Sequence, residues 1–358
     1  MRGRYCPTRS VPPPPIATDD SAYGPRSSLC LLFDKLAGWR WMSQKPLRSV
    51  TIEIGIFEDF DPATNSWKPD MKHVTTQKPM WLRVVQFPPL RLAMFGAVMF
   101  YMLGYSNKFM GSTAGNPLLQ IAVVIAWSAV GFAVYIGLVR LIERRPVTEL
   151  ALPGMGRELG IGLLVGAGLY TACILILMVM GVYKIDGLNP VSYMLPAIAL
   201  PLSSGIFEEL LFRGVLFRIV ENWLGSWISL VVSSLVFGLV HLMNPTATLL
   251  GAIFISVEAG ILLAAAYMLT RRLWMSMGFH IAWNYTQSGV FSGIVSGGDA
   301  HPGLIRPAID GPALLTGGTF GVESSVIAFL LCTATGVILL IMAVRRGHVV
   351  PPFWQQKG

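Results

Sequence analysis

FEELLFRG, Phe207 to Gly214, decides how the rest of the chain is read. It lies inside an apolar run over residues 192–217, long enough to cross a hydrocarbon core, which takes about 20 helical residues. A charged side chain at mid-membrane costs on the order of 2.5–3.5 kcal/mol on insertion scales. Glu208, Glu209 and Arg213 must therefore pair, face an internal cavity or do chemistry. Glu209 and Arg213 are four apart and share one helical face, so pairing makes both tolerable to lipid. Glu208 points about 100° away around the helix and escapes that pair. It is the residue in the stretch that a structural ion pair does not explain.

Outward from this stretch the chain is greasy throughout. Its 358 residues are 53% hydrophobic and 13% charged, with mean hydropathy +0.59; a soluble domain carries about 25% charged residues. Eight apolar runs stand out, at 89–106, 118–139, 159–182, 192–217, 227–244, 247–269, 274–296 and 324–344. Breaks such as Asn116-Pro117, Asn189-Pro190 and Asn244-Pro245 separate them. The fold expected is an all-α membrane protein, with about eight transmembrane helices enclosing a polar intramembrane cavity. Residues 1–85 read as a largely irregular cytoplasmic extension with one short strand or hairpin arm in SVTIEIGIFEDF, 86–346 as the membrane domain, and 347–358 as a cytoplasmic tail. Basic residues collect in alternate loops: Arg140, Arg144, Arg145, Arg157, Arg218, Arg271, Arg272, Arg345 and Arg346 on one side, against Lys108, Lys184 and Arg306 on the other. That asymmetry places both termini in the cytoplasm.

The net charge of +8 is thus a topology signal. No basic patch interleaved with aromatics points to nucleic acid. The four cysteines, Cys6, Cys30, Cys173 and Cys332, form no C-x-x-C pair and support neither a disulfide framework nor a zinc-thiolate site.

The polar residues buried in the spans are few. In WMSMGFHIAWNY, His280 and Asn284 are four apart and share a helical face; in VFGLVHLMNP, His241 follows Phe237 by four. Glu258 sits mid-span in GAIFISVEAGILL without a partner at i±4 and takes no assignment. The remaining carboxylates, imidazoles and amide suit hydrolysis of an amide: a carboxylate and an imidazole to deprotonate water, a second imidazole and an amide to hold an oxyanion. Glu208, His241 and His280 are also the donors a zinc ion would take, although H-E-x-x-H is absent. The cofactor is left unknown, with zinc the candidate. Counted along straight helices at about 1.5 Å per residue, Glu208, His241 and His280 lie at unequal depths.

E-E-x-x-x-R as Glu208-Glu209…Arg213, F-x-x-x-H as Phe237…His241 and H-x-x-x-N as His280…Asn284 occur in this order on separate helices. Together they resemble the CPBP group of intramembrane proteases, the CAAX-processing and bacteriocin-processing family also called Abi, over residues 190–295. The resemblance implies a helical membrane endopeptidase in which Glu208 and His241 activate water and His280 and Asn284 stabilise the oxyanion. Glu209 joins the catalytic set, with Arg213 and Phe237 in support. Both a metal-free glutamate mechanism and a metal-dependent one are consistent with it. The partners implied are membrane lipids and a peptide or protein substrate, lipidated in the eukaryotic relatives. The alternative reading is a non-catalytic binding or bacteriocin-immunity type protein that uses the same cluster for helix association.

Overall fold

A computed structural model describes residues 56–61, 66–70, 79–113 and 115–356. The chain divides into two units after Thr76. In the first, strand β1 (Ile56–Asp61) pairs antiparallel with β2 (Ser66–Asp70), with a bulge between Phe57 and Asp59. The expected strand thus falls in the second half of SVTIEIGIFEDF. The expectation of a largely irregular extension falls mostly outside the described residues, as do Cys6 and Cys30.

The second unit opens with a short helix, Met80–Val85, and holds eight longer helices at the eight apolar runs. They are α1 (Pro88–Ser112), α2 (Pro117–Glu143), α3 (Met155–Val179), α4 (Val191–Leu224), α5 (Ser226–Val240), α6 (Leu249–Thr270), α7 (Trp274–Tyr285) and α8 (Val326–Arg345). Among the described residues six, counting α5 through Met243, are long and apolar enough to cross a membrane. The other two are α1, which carries Arg91 and Lys108, and the short α7. One predicted break acts as a cap: Asn116 accepts the Leu119 N–H ahead of α2, in line with the preference for Asn at a helix start and Pro just inside it. Thr248 and Ser325 cap α6 and α8 in the same way.

Two features were not legible beforehand. A small antiparallel sheet, β3 (Tyr183–Leu188) with β4 (Ile305–Ile309), joins the loop after α3 to the loop before α8. The helices also widen into π-helical segments at Val139–Glu143, Leu210–Phe217, Ser256–Gly260 and Thr286–Val290. Such widening disrupts the regular i→i+4 ladder and tends to occur at functional sites; three of these segments contain or directly follow polar residues singled out above.

The seam between α3 and α7 fixes the helix that carries His280 and Asn284. A Cβ on Gly162 would collide with the Met275 carbonyl, one on Gly166 with the Phe279 carbonyl, and one on Gly278 with the Leu159 carbonyl. The backbones approach this closely only because all three positions are glycine, the small-residue packing that membrane helices use in place of a hydrophobic driving force. Gly166→Leu is expected to destabilise the fold by about 1–3 kcal/mol through overpacking. Gly160→Leu, where a Cβ meets nothing within 4 Å, serves as the neutral control. Thermal unfolding in detergent reads the difference.

The unequal depths are reconciled by the helix ends. α4 does not stop at Arg218 but runs to Leu224, which puts Glu208 about 24 Å from its end, and His241 lies about 23 Å from the start of α5. α7 starts inside the bundle: Leu273 is fully buried and the Trp274 indole donates to the Ala151 carbonyl at 2.9 Å. Four of the topology arginines, one buried and three half-buried, pair with buried acid side chains. Arg145 pairs with Glu149 at 2.6 Å, Arg218 with Glu143 at 2.8 Å, Arg271 with Glu221 at 2.6 Å, and Arg272 with Glu158. These pairs tie helix ends and loops together at one end of the bundle.

Candidate active site

Glu208 and Glu209 end the regular α-helical part of α4, which turns π-helical at Leu210. The two carboxylates part there. Glu209 is fully buried, whereas the Glu208 side chain keeps 15% exposure. Glu208 faces a cavity of about 270 Å³ that α1, α4, α7, the end of α5 and residues 295–298 enclose. His241, His280 and Asn284 line the same cavity.

The Glu208 Oε2 atom stands 3.9 Å from His241 Nε2 and 3.8 Å from His280 Nε2. Neither gap is a hydrogen bond. Both suit one water that touches all three groups, since two bonds of about 2.8 Å meeting near a right angle span about 3.9 Å. A tetrahedral zinc with bonds of about 2.0–2.1 Å would draw its donors to about 3.3 Å. As placed, the three side chains stand wider apart than that, and among the described residues no group of three or more His, Cys, Asp and Glu is drawn together to metal-ligand range.

Each imidazole is oriented from behind. His241 Nδ1 lies 2.6 Å from the Phe237 carbonyl. A carbonyl only accepts, so Nδ1 carries the proton and, in the neutral ring, Nε2 presents its lone pair to the cavity. His280 Nδ1 donates to Glu209 Oε1 at 3.0 Å. The same oxygen accepts from Arg213 Nη1 at 2.8 Å. Arg213 is fully buried, and its Nη2 reaches the Gly260 carbonyl at 3.2 Å. Glu209 thus links a fixed cation to a catalytic-type imidazole, the arrangement that sets ring tautomer and direction.

Phe237 is the hub of the cluster. Arg213 stacks over its ring at 4.7 Å, and the ring packs against His241 at 4.8 Å and His280 at 6.1 Å between centroids. The spacing F-x-x-x-H therefore supplies both a carbonyl for His241 and a face for Arg213. Asn284 is anchored by its Nδ2–H to Ser204 Oγ at 3.0 Å. All seven residues selected from sequence converge within this one region.

Sequence reasoning missed Ser204, which sits four residues before Glu208 and so on its face; that spacing was a usable signal. It also missed Ser296 and Glu323, from loops with no periodic pattern. Ser296 lines the cavity, its carbonyl accepts from Asn244 Nδ2 at 2.6 Å, and its N–H donates to Glu323. Ser296 holds φ +51°, a left-handed backbone that loops keep where surrounding bonds over-determine it.

Residues 190–286 match the family model described as type II CAAX prenyl endopeptidase, Rce1-like. The match covers just over a quarter of the chain and contains all three motifs, in agreement with the family resemblance drawn from them. No curated protein and no solved structure matches the chain.

Proposed function

We propose, with the CAAX-endopeptidase family of the matched segment as premise, that this integral membrane protein hydrolyses a peptide bond at the Glu208 cavity. One observation carries the reading: Glu208 Oε2 stands nearly equidistant from two imidazole Nε2 atoms at water-bridging range, inside the helical bundle. Water held there gives its proton to Glu208 as its oxygen attacks the scissile carbonyl, with the unprotonated His241 Nε2 orienting it. Asn284, and His280 when both its nitrogens carry protons, face the oxyanion. Collapse of the tetrahedral adduct breaks the C–N bond, and the proton on Glu208 passes to the leaving amine. Substrate and water are thereby consumed and acid and amine released, with no other reactant.

Phe100, Leu200 and Met243 border the cavity and are 47%, 39% and 73% exposed, and we place this side of the bundle against lipid. The cavity wall thus runs into the bilayer side, which suits a substrate carrying an apolar segment or a lipid. The ion-paired arginine end faces the cytoplasm in this reading, with both termini on that side.

The test is cleavage of a peptide library by the full chain in nanodiscs, together with metal analysis. His241→Ala and His280→Ala proteins are expected to accumulate in the membrane and lose cleavage, and purified wild type is expected to hold no stoichiometric zinc and to survive chelation. Stoichiometric zinc lost from His280→Ala would replace the water-activation scheme with a metal one. Cleavage unaffected in both histidine variants would remove the two imidazoles from the mechanism, whereas no cleavage by the wild type, with binding of a partner that survives both substitutions, would favour the binding-protein alternative.

A further inference from the structure

Glu258 stands outside the three motifs and outside the reaction above. α6 widens into its π segment at Ser256–Gly260 and turns Glu258 into the bundle, where it is 2% exposed. Its Oε2 atom is buried and has no hydrogen-bond partner. It borders a second cavity of about 20 Å³, a volume that holds one water. Glu323, from the turn before α8, borders that cavity too. So do His280, Asn284 and Ser296, which also line the main cavity and so form the wall between the two.

The two carboxyl groups are served differently. Glu323 accepts the Ser296 N–H and, at 3.4 Å, the Trp283 indole N–H. Glu258 has neither donor, and among the described residues neither acid forms an ion pair with a basic side chain. The rest of the lining is chiefly apolar, with Phe237, Ile255, Leu263 and Phe279. Oxygen comes from Glu258, Glu323, Asn284 and Ser296, and both Glu323 oxygens already accept N–H donors, which leaves fewer open than the roughly six a hard cation takes. A buried water needs only about two to four polar partners, and Glu258 and Asn284 supply them.

We propose that this pocket holds one water joining Glu258 to the Asn284 amide, and that Glu258 thereby positions the oxyanion wall of the active site. The inference rests on the peptidase reading, in which Asn284 faces the oxyanion. Asn284 has a single side-chain anchor on the Ser204 side, and an amide held at one end turns about its last torsion, a broad and weakly defined one. A water from the opposite side stops that turn. It also satisfies the Glu258 oxygen, which is otherwise stranded in a low-dielectric setting at a cost in free energy.

Two measurements on the full chain in nanodiscs test this. A high-resolution structure of the wild type is expected to show one water within hydrogen-bond range of Glu258 Oε2 and the Asn284 amide. An empty pocket, or anomalous signal there after exchange into thallium, overturns the proposal. In kinetics on a peptide that the wild type cleaves, Glu258→Gln keeps a group able to hold the water and is expected to retain kcat. Glu258→Leu fills the pocket and is expected to lower kcat by about tenfold, a fraction of what deleting an oxyanion donor costs, at unchanged KM. In an Asn284→Ala background Glu258→Leu is expected to cost nothing more; an equal loss in both backgrounds refutes the positioning role. If the wild type cleaves no peptide, the peptidase reading fails, and the water is still decided by the structure. That arm needs no variant, so a Glu258→Leu chain that does not fold shelters nothing.

Discussion

Glu208→Gln is expected to lower peptide cleavage by about 10²–10⁴-fold, the range a positioned general base supplies, while leaving the amount of protein in the membrane unchanged. The substitution is nearly isosteric, and Glu208 has no hydrogen bond among the described residues: its Oε2 is unpartnered and the two imidazoles stand 3.8 Å and 3.9 Å away. Folding therefore loses little. Chemistry loses the proton acceptor, because an amide binds water but does not deprotonate it. The check is kcat/KM beside membrane yield and thermal midpoint. Wild-type turnover by the Glu208→Gln protein would remove Glu208 from the mechanism altogether.

Arg213→Met is expected to produce the largest loss of stability, about 3–5 kcal/mol, the cost of leaving a buried charge without its partner. Arg213 and Glu209 are both fully buried at 2.8 Å. Without the guanidinium, Glu209 keeps only the His280 Nδ1–H, and two backbone carbonyls near Gly260 lose their donor. The double variant Glu209→Gln with Arg213→Met is expected to regain much of that stability, since replacing a whole buried pair is often neutral. It is not expected to regain cleavage, because His280 then lacks the carboxylate that fixes its ring. Unfolding midpoints and kcat measured on the same three proteins separate the two effects. A double variant that restored full activity would reduce Glu209 to an insertion aid.

Much of the fold was legible from one-dimensional signals. The eight helices follow from apolar runs and Asn-Pro breaks, because lipid requires every backbone group to be bonded within a helix. The Glu209–Arg213 pair followed from spacing, and it formed even though the helix widens at Leu210. β3 and β4 escaped notice because they lie more than a hundred residues apart and pair only across loops. Glu323 escaped because nothing in its neighbours marks it; its partners are Ser296 and Trp283 on other elements.

The depth mismatch shows where one-dimensional counting fails. Rise per residue was right, but the levels of the helix ends were not in the sequence. They depend on α4 running on to Leu224 and on α7 beginning within the bundle.

What the sequence alone determined is the solvent and the chemistry set: a lipid-embedded helical chain that retains carboxylates, imidazoles and an amide, each costly there. What only the tertiary structure decided is which face of each helix meets which. Glu208 was separated from Glu209 by exposure, His241 and His280 were aimed at a common point from opposite carbonyl and carboxylate anchors, and Glu258 was brought behind Asn284. The reason is physical. Helical spacing sets angles within one segment, whereas distances between segments follow from backbone approach at glycine seams and from ion pairs between helix ends, which arise only when the packed bundle exists.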